Sequence, residues 1–193
     1  MKSLEQKIIS EGQIFKGEVL KVDCFLNHQI DVAFLNEIGK EIHRLYRDEG
    51  INKIVTIEAS GIGIACMTAQ HFDPIVPVVF AKKSKSKNLG ENFYHAQVQS
   101  YTRGTAYDVM ISKSYLSEKD RILIVDDFLA TGSALVALTE LCEQAGATIV
   151  GFGAVIEKTY QNGGEYLRKK GYRVESLARI LSMNEAEGII FES

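Results

Sequence analysis

The residues best suited to chemistry lie in one stretch, Arg121-Ile-Leu-Ile-Val-Asp-Asp-Phe-Leu-Ala-Thr-Gly-Ser-Ala134. Two adjacent carboxylates, Asp126 and Asp127, are followed after three further residues by Thr131-Gly132-Ser133. A small-residue turn that opens a helix leaves backbone N–H groups unsatisfied, and these suit a phosphate. The carboxylates repel that same phosphate. They match sugar hydroxyls, which donate hydrogen bonds to carboxylate oxygens, or a Mg2+ shared with the substrate. An anion cradle beside a hydroxyl-and-cation grip describes a site for a sugar phosphate.

Such groups need a rigid frame, and the surrounding pattern supplies one. Ile122 to Val125 is a short, wholly apolar run, the signature of a strand buried on both faces, with the two acids at its end. Ala134 to Ala145 reads as a helix with Ala, Leu and Val along one side. Upstream, Lys53 to Ile57 reads as a strand, Glu58-Ala-Ser-Gly61 as a turn and Ile62 to His71 as a helix. Ile75 to Ala81 is the next strand, with Pro77 marking an interruption or an edge position. This alternation predicts an α/β fold, a central, mostly parallel sheet flanked by helices.

The remaining segments are placed by the same patterns. Tyr94 to Tyr101 and Thr105 to Ile111 read as a β-hairpin around Thr102-Arg-Gly104. Ala147 to Glu157 reads as another buried strand, Asn162-Gly-Gly164 as the lead into a short charged helix ending at Gly171, and Tyr172 to Leu177 as a last strand. Near the N-terminus, Leu4, Ile8 and Ile9 fit a short helix ending near Gly12, and Val19 to Leu26 alternates weakly, as an edge strand or an ordered loop. Asp31 caps a helix carrying Phe34, Ile38, Ile42 and Leu45 that closes by Gly50. Lys82 to Glu91 is polar and basic, a solvated mobile loop able to close over phosphates. His43 and His95 read as surface and outer-strand residues rather than ligands.

Composition bounds the function. At 193 residues the chain fits one domain with a proper core, and 46% of it is hydrophobic. A net charge of -3 argues against a general affinity for nucleic acid or for membrane surfaces. No apolar run is long enough to span a bilayer, and Met1-Lys-Ser-Leu-Glu-Gln does not read as a signal peptide. The cysteines, Cys24, Cys66 and Cys142, have no paired spacing, so neither a disulfide framework nor a zinc site is expected. A reducing, cytoplasmic setting follows.

The central stretch resembles the phosphoribosyl-diphosphate (PRPP) motif of type I phosphoribosyltransferases: four apolar residues, two acids, then Thr-Gly. Over nearly the full chain the sequence is also similar to the bacterial xanthine phosphoribosyltransferases. The segments that carry this are Val19 to Asp31, Lys53 to Gly61, Pro77 to Lys82 and Val174 to Ile180. The resemblance implies a single domain of that fold, with a small hood over the base formed mainly by about residues 1–30 and the C-terminal segment. It implies transfer of ribose 5-phosphate from PRPP to xanthine, releasing pyrophosphate, with Mg2+ held mainly through PRPP or pyrophosphate rather than by protein ligands. A homodimer is implied as well.

Carried over by position, the resemblance assigns the 5-phosphate cradle to Ala130, Thr131, Gly132, Ser133 and Ala134. It assigns the pyrophosphate turn to Ser60 and Gly61, with Lys82 and Lys83 as nearby cations, and catalysis to Asp126 and Asp127. Leu20, Asn27 and Lys158 match the xanthine contacts. Hypoxanthine-guanine phosphoribosyltransferases carry an acid where this chain has Ala130. The purine's proton is then taken by a loop residue such as Glu91, or no base is needed, least of all for xanthine. Two alternatives remain at the level of sequence: another purine as acceptor (adenine, guanine or hypoxanthine), or a PRPP-sensing purine regulator without catalysis.

Overall fold

The computed structural model describes residues 1–15, 19–84, 92–99 and 106–192, without the side chains of Ser84 and Gln99. In chain order the elements are α1 (Lys2–Glu11), β1 (Gln13–Phe15), β2 (Val19–Lys21), α2 (Val32–Tyr46), β3 (Lys53–Ile57), α3 (Ser60–Ala69), β4 (Val78–Ser84), β5 (Phe93–Gln99), β6 (Ala106–Ser112), β7 (Arg121–Leu129), α4 (Ser133–Gln144), β8 (Thr148–Lys158), α5 (Gly163–Lys169), β9 (Val174–Asn184) and β10 (Gly188–Phe191). Strands β3 to β10 form one sheet in the order β10-β9-β8-β7-β3-β4-β6-β5. The β9-β8-β7-β3-β4 segment is parallel throughout. The edges are antiparallel: β10 on β9 at one side, β6 and β5 at the other.

Strand alternation divides the core between the two faces. Leu123 and Val125 of β7 join Ile38 and Ile42 of α2 and Ile64 of α3 on one side. Ile122 and Ile124 join Leu135 and Leu138 of α4 and Leu167 of α5 on the other. With both faces covered, β7 has the continuous apolar run expected of a central parallel strand. Asp31 caps α2, its carboxylate accepting from Phe34 N at 3.1 Å. The helix buries Leu35, Ile38, Ile42 and Tyr46 and runs only to Tyr46, with Gly50 in the following turn at a φ of 65°. Gly39 allows α2 and α3 to touch, since a Cβ there would lie 2.7 Å from Thr68 N.

Outside the large sheet, α1 and the antiparallel β1–β2 pair pack on β9. Leu4, Ile8 and Leu20 are buried, and the Met1 amino group donates to the Leu177 carbonyl.

Several elements differ from their sequence patterns. Val19 to Leu26 is a three-residue strand followed by a π-helical turn, Asp23–Asn27, that buries Phe25 and Leu26. The weak alternation there reflects these two inward residues rather than strand pleating. The strand after Pro77 begins at Val78, because proline offers no N–H to the ladder. It also runs on through Lys82 and Lys83, which the polar pattern assigned to a loop. Helix α3 starts at Ser60, two residues early. The last strand extends to Asn184 and is followed by β10, where the sequence carried little signal. Residues 100–105, with the expected hairpin centre Thr102-Arg-Gly104, and residues 85–91, with Glu91, lie outside the described residues.

Candidate active site

Strand β7 delivers Asp126 and Asp127 to the C-terminal edge of the sheet, where α/β proteins place ligands. Both are buried, at 5% and 8% exposure. Asp126 Oδ1 accepts from Asp127 N at 2.9 Å. Asp127 turns the other way: its Oδ1 accepts from Phe128 N at 3.0 Å and its Oδ2 from Asn27 Nδ2 at 2.9 Å. Burial, and then the neighbouring Asp127 charge, push the Asp126 carboxyl well above the usual carboxylate range, against a smaller opposing effect of Lys83.

Directly after the acids, the chain turns into α4. Gly132 sits before the helix with a φ of 80°, a conformation that a Cβ would strain, and no side chain caps the helix start. Its first N–H groups are therefore available to an anion. The Thr131 and Ser133 hydroxyls lie 3.0 Å apart at the mouth of this turn. The turn is braced from behind: Gly163 N donates to the Ala130 carbonyl at 3.0 Å, and a Cβ on Gly163 would lie 2.5 Å from Gly132 N.

A second uncapped helix start belongs to α3, entered through a cis peptide between Glu58 and Ala59. Gly61 lies against Asp126: a Cβ there would come 3.3 Å from Asp126 Oδ1 and would overlap the Thr56 hydroxyl. That hydroxyl is fully buried and has no hydrogen-bond partner among the described residues. The Glu58 carboxylate accepts from Lys83 N at 2.7 Å, tying this turn to β4.

The two lysines part company at this point, as neighbours on a strand must. Lys83 lies above the Tyr107 ring, 5.4 Å from its centroid, on the side where it acts on Asp126. Lys82 lines a groove on the opposite face with Phe80, Phe93, Met110 and Tyr115.

The residues matched to the base contacts are partly assembled. Asn27 ends the π-helical turn and reaches Asp127 across 100 positions of sequence. Lys158 ends β8, with Nζ 5.8 Å from the centroid of the half-buried Phe128 ring. Asn27 and Lys158 thus each meet one of two consecutive residues of β7, Asp127 and Phe128. Leu20 is buried, in the same core cluster as Leu4 and Ile8. Phe128, Glu58, Thr56 and Gly163 were not singled out by sequence reasoning. Their roles depend on contacts from distant elements, and only the Gly-Gly pair at 163–164 left a visible mark, as a turn.

Among the described residues no group of three or more His, Cys, Asp or Glu side chains is gathered to hold a metal. No described helix is long and apolar enough to cross a membrane.

Two acids near the end of a central parallel strand, with two uncapped helix starts close by, suit a sugar phosphate. The family model described as "Phosphoribosyl transferase domain" matches residues 23–187, and the chain belongs to this family of pentosyltransferase enzymes. Its curated relatives narrow the class. It is 51% identical to a xanthine phosphoribosyltransferase of Ruminiclostridium cellulolyticum over 95% of both chains. It is 53% identical to one of Clostridioides difficile over 95% of this chain and 96% of the relative. Among solved structures, adenine phosphoribosyltransferase from Thermoanaerobacter pseudethanolicus shares the fold with a TM-score of 0.73 at 21% identity, over 91% of this chain and 99% of that one.

Proposed function

We propose that this enzyme transfers ribose 5-phosphate from PRPP to xanthine, giving xanthosine 5'-monophosphate and pyrophosphate in purine salvage. The observation that supports this reading is that Asn27 reaches Asp127 while Lys158 lies by Phe128, the next residue of β7. Both side chains carry N–H donors suited to the two ring carbonyls of xanthine, and Asn27 touches one of the acids suited to ribose. The relatives' names point to the same base.

In this reading Ala130 to Ala134 cradle the 5-phosphate on the N–H groups that open α4. Ser60 and Gly61 present the start of α3 to the pyrophosphate. Of the two neighbouring lysines, Lys83 is on the face that can neutralise it. Asp126 and Asp127 hold the ribose hydroxyls and stabilise the positive charge that develops on the ribose as the bond to pyrophosphate breaks. Mg2+ would be carried by the oxygens of PRPP rather than by protein ligands, and Asp126 and Asp127 would be the carboxylates available to it. When bound, it would neutralise the departing pyrophosphate. Phe128 offers its ring to the base, and Asn27 and Lys158 offer their donors. The whole chain acts as a single domain, with α1, β1, β2 and the β9–β10 end as the hood. It works as a cytoplasmic homodimer, and the exposed groove of about 510 Å³ along β4, β5 and β6 offers apolar surface to a second copy.

The test is product formation from PRPP and Mg2+ with xanthine, hypoxanthine, guanine and adenine separately. Xanthine turned over far faster than the rest is the expected result. Faster use of another base overturns the substrate assignment while leaving the PRPP site. PRPP binding without turnover of any base favours a regulator.

A further inference from the structure

We infer that the ion pair between buried Glu157 and half-buried Arg168 is a positioning unit that holds the phosphate cradle and Lys158 in one geometry; this rests on the roles proposed above for those two sites. Glu157 precedes Lys158 and lies opposite Leu129, the residue before the cradle. Its side chain is 2% exposed. Arg168 Nη1 donates to Oε1 at 2.6 Å and Nη2 to Oε2 at 2.8 Å, while Arg179 Nε lies 3.3 Å from Oε2. Burial is the largest single influence and opposes the ionised carboxylate, but the Arg168 hydrogen bonds, a contribution from Ser176 and the charges of Arg168 and Arg179 together hold the group below the usual carboxylate range.

Arg168 belongs to α5, and the first two residues of that helix form a wedge. A Cβ on Gly164 would overlap the Glu157 carboxylate and lie 2.6 Å from Arg168 Nη1. A Cβ on Gly163 would overlap the Ala130 carbonyl. The ion pair grips one side of the glycine wedge and the cradle rests on the other. A buried pair of this kind is seldom better for stability than apolar residues of equal volume. What a two-bond fork adds is fixed distance and direction. Here that geometry is transmitted to Ala130–Gly132 through the wedge and to Lys158 through the chain.

Two variants test this. Arg168→Lys keeps the charge opposite Glu157 but loses the fork. Glu157→Gln/Arg168→Met removes both charges of the pair and leaves Arg179 its second partner, Glu192, at 2.8 Å, and it carries the test should the lysine variant unfold. Each is assayed where circular dichroism shows it fully folded. The expected result is a rise in KM for both PRPP and xanthine with a fall in kcat/KM of about 100-fold, the scale of a misplaced substrate, although neither residue is assigned to either substrate. A merely structural pair would lower the melting temperature and be largely restored by lysine. A folded variant with both KM values within about twofold of wild type overturns the inference. Wild-type turnover is the control for the functional reading: its absence overturns that reading, whereas active wild type with unchanged variants overturns only the role of the pair.

Discussion

Asp126→Asn should separate catalysis from stability more sharply than any other substitution in this enzyme. The amide is nearly isosteric, and its oxygen can still accept from Asp127 N, now at 2.9 Å. What disappears is one negative charge from a buried, adjacent pair, whose repulsion and desolvation hold the Asp126 carboxyl well above its ordinary value of 3.8. An acid whose pKa is raised by folding binds its proton more tightly in the native state. The wild type therefore loses stability as pH rises from 3.8 through the native pKa, and a neutral amide does not. The variant should thus have the higher Tm of the two at pH 8. The gain should shrink as pH falls towards 4, where the wild type is itself protonated. Turnover should move the other way, falling about 10²–10³-fold as a charge opposite the developing ribose cation is lost. Thermal unfolding at pH 8 and pH 5, with steady-state turnover of PRPP and xanthine at pH 8, measures both. Turnover within about threefold of wild type, or a variant less stable than wild type at pH 8, would refute the reasoning.

Asp127→Asn should also cut turnover by about 10²-fold with little change in Tm, because an amide oxygen can keep one of the bonds to Asn27 and Phe128; unchanged turnover would remove Asp127 from the mechanism. Lys158→Ala should raise KM for xanthine about 10–100-fold, the value of a hydrogen bond to a charged group, and leave KM for PRPP nearly intact; equal losses in both would show the base contact to be misassigned. Gly163→Ala drives a methyl into the backbone of Ala130 and Gly132, so it should cost about 1–3 kcal/mol in a urea titration and raise KM for PRPP; a variant as stable as wild type would mean the cradle yields. Tyr46→Phe removes the hydroxyl that donates to the Phe152 carbonyl at 2.8 Å in the core. It should cost about 1 kcal/mol in the same titration without altering kcat, and a changed kcat would tie α2 to the active site.

Much of the fold was legible because the central strands announce themselves. Ile122 to Val125 and Lys53 to Ile57 are buried on both faces, so their apolar runs admit few other readings. Asp31 was legible as a cap because capping is a contact between residues three apart. The hood was harder. Val19 to Leu26 combines a short strand with a π-helical turn whose inward residues are fixed by α1 and β9, elements that the local sequence does not contain. The length of β9 was missed for a similar reason: Leu181 and Ser182 face outward on an edge hairpin, where pairing with β10 rather than burial sustains the strand.

The active site divides along the same line. Asp126, Asp127 and the Thr-Gly-Ser turn are contiguous, so a strand ending in acids and a helix opening on small residues could be recognised as a unit and given a chemistry. Which way each side chain faces was not available. Lys82 and Lys83 are equivalent as neighbouring cations in a sequence, but of the two it is Lys83 that acts on Asp126. The burial of Leu20 in the cluster of Leu4 and Ile8 could not be read from the local pattern either. The supports are less legible still, since Gly163 and Gly164 are conspicuous only as a turn until the fold brings them between Ala130 and Glu157. A phosphate cradle made of backbone N–H groups has no side chain to hold it in place. Its geometry must come from what lies behind it, and that is where distant residues enter the chemistry unseen from the motif.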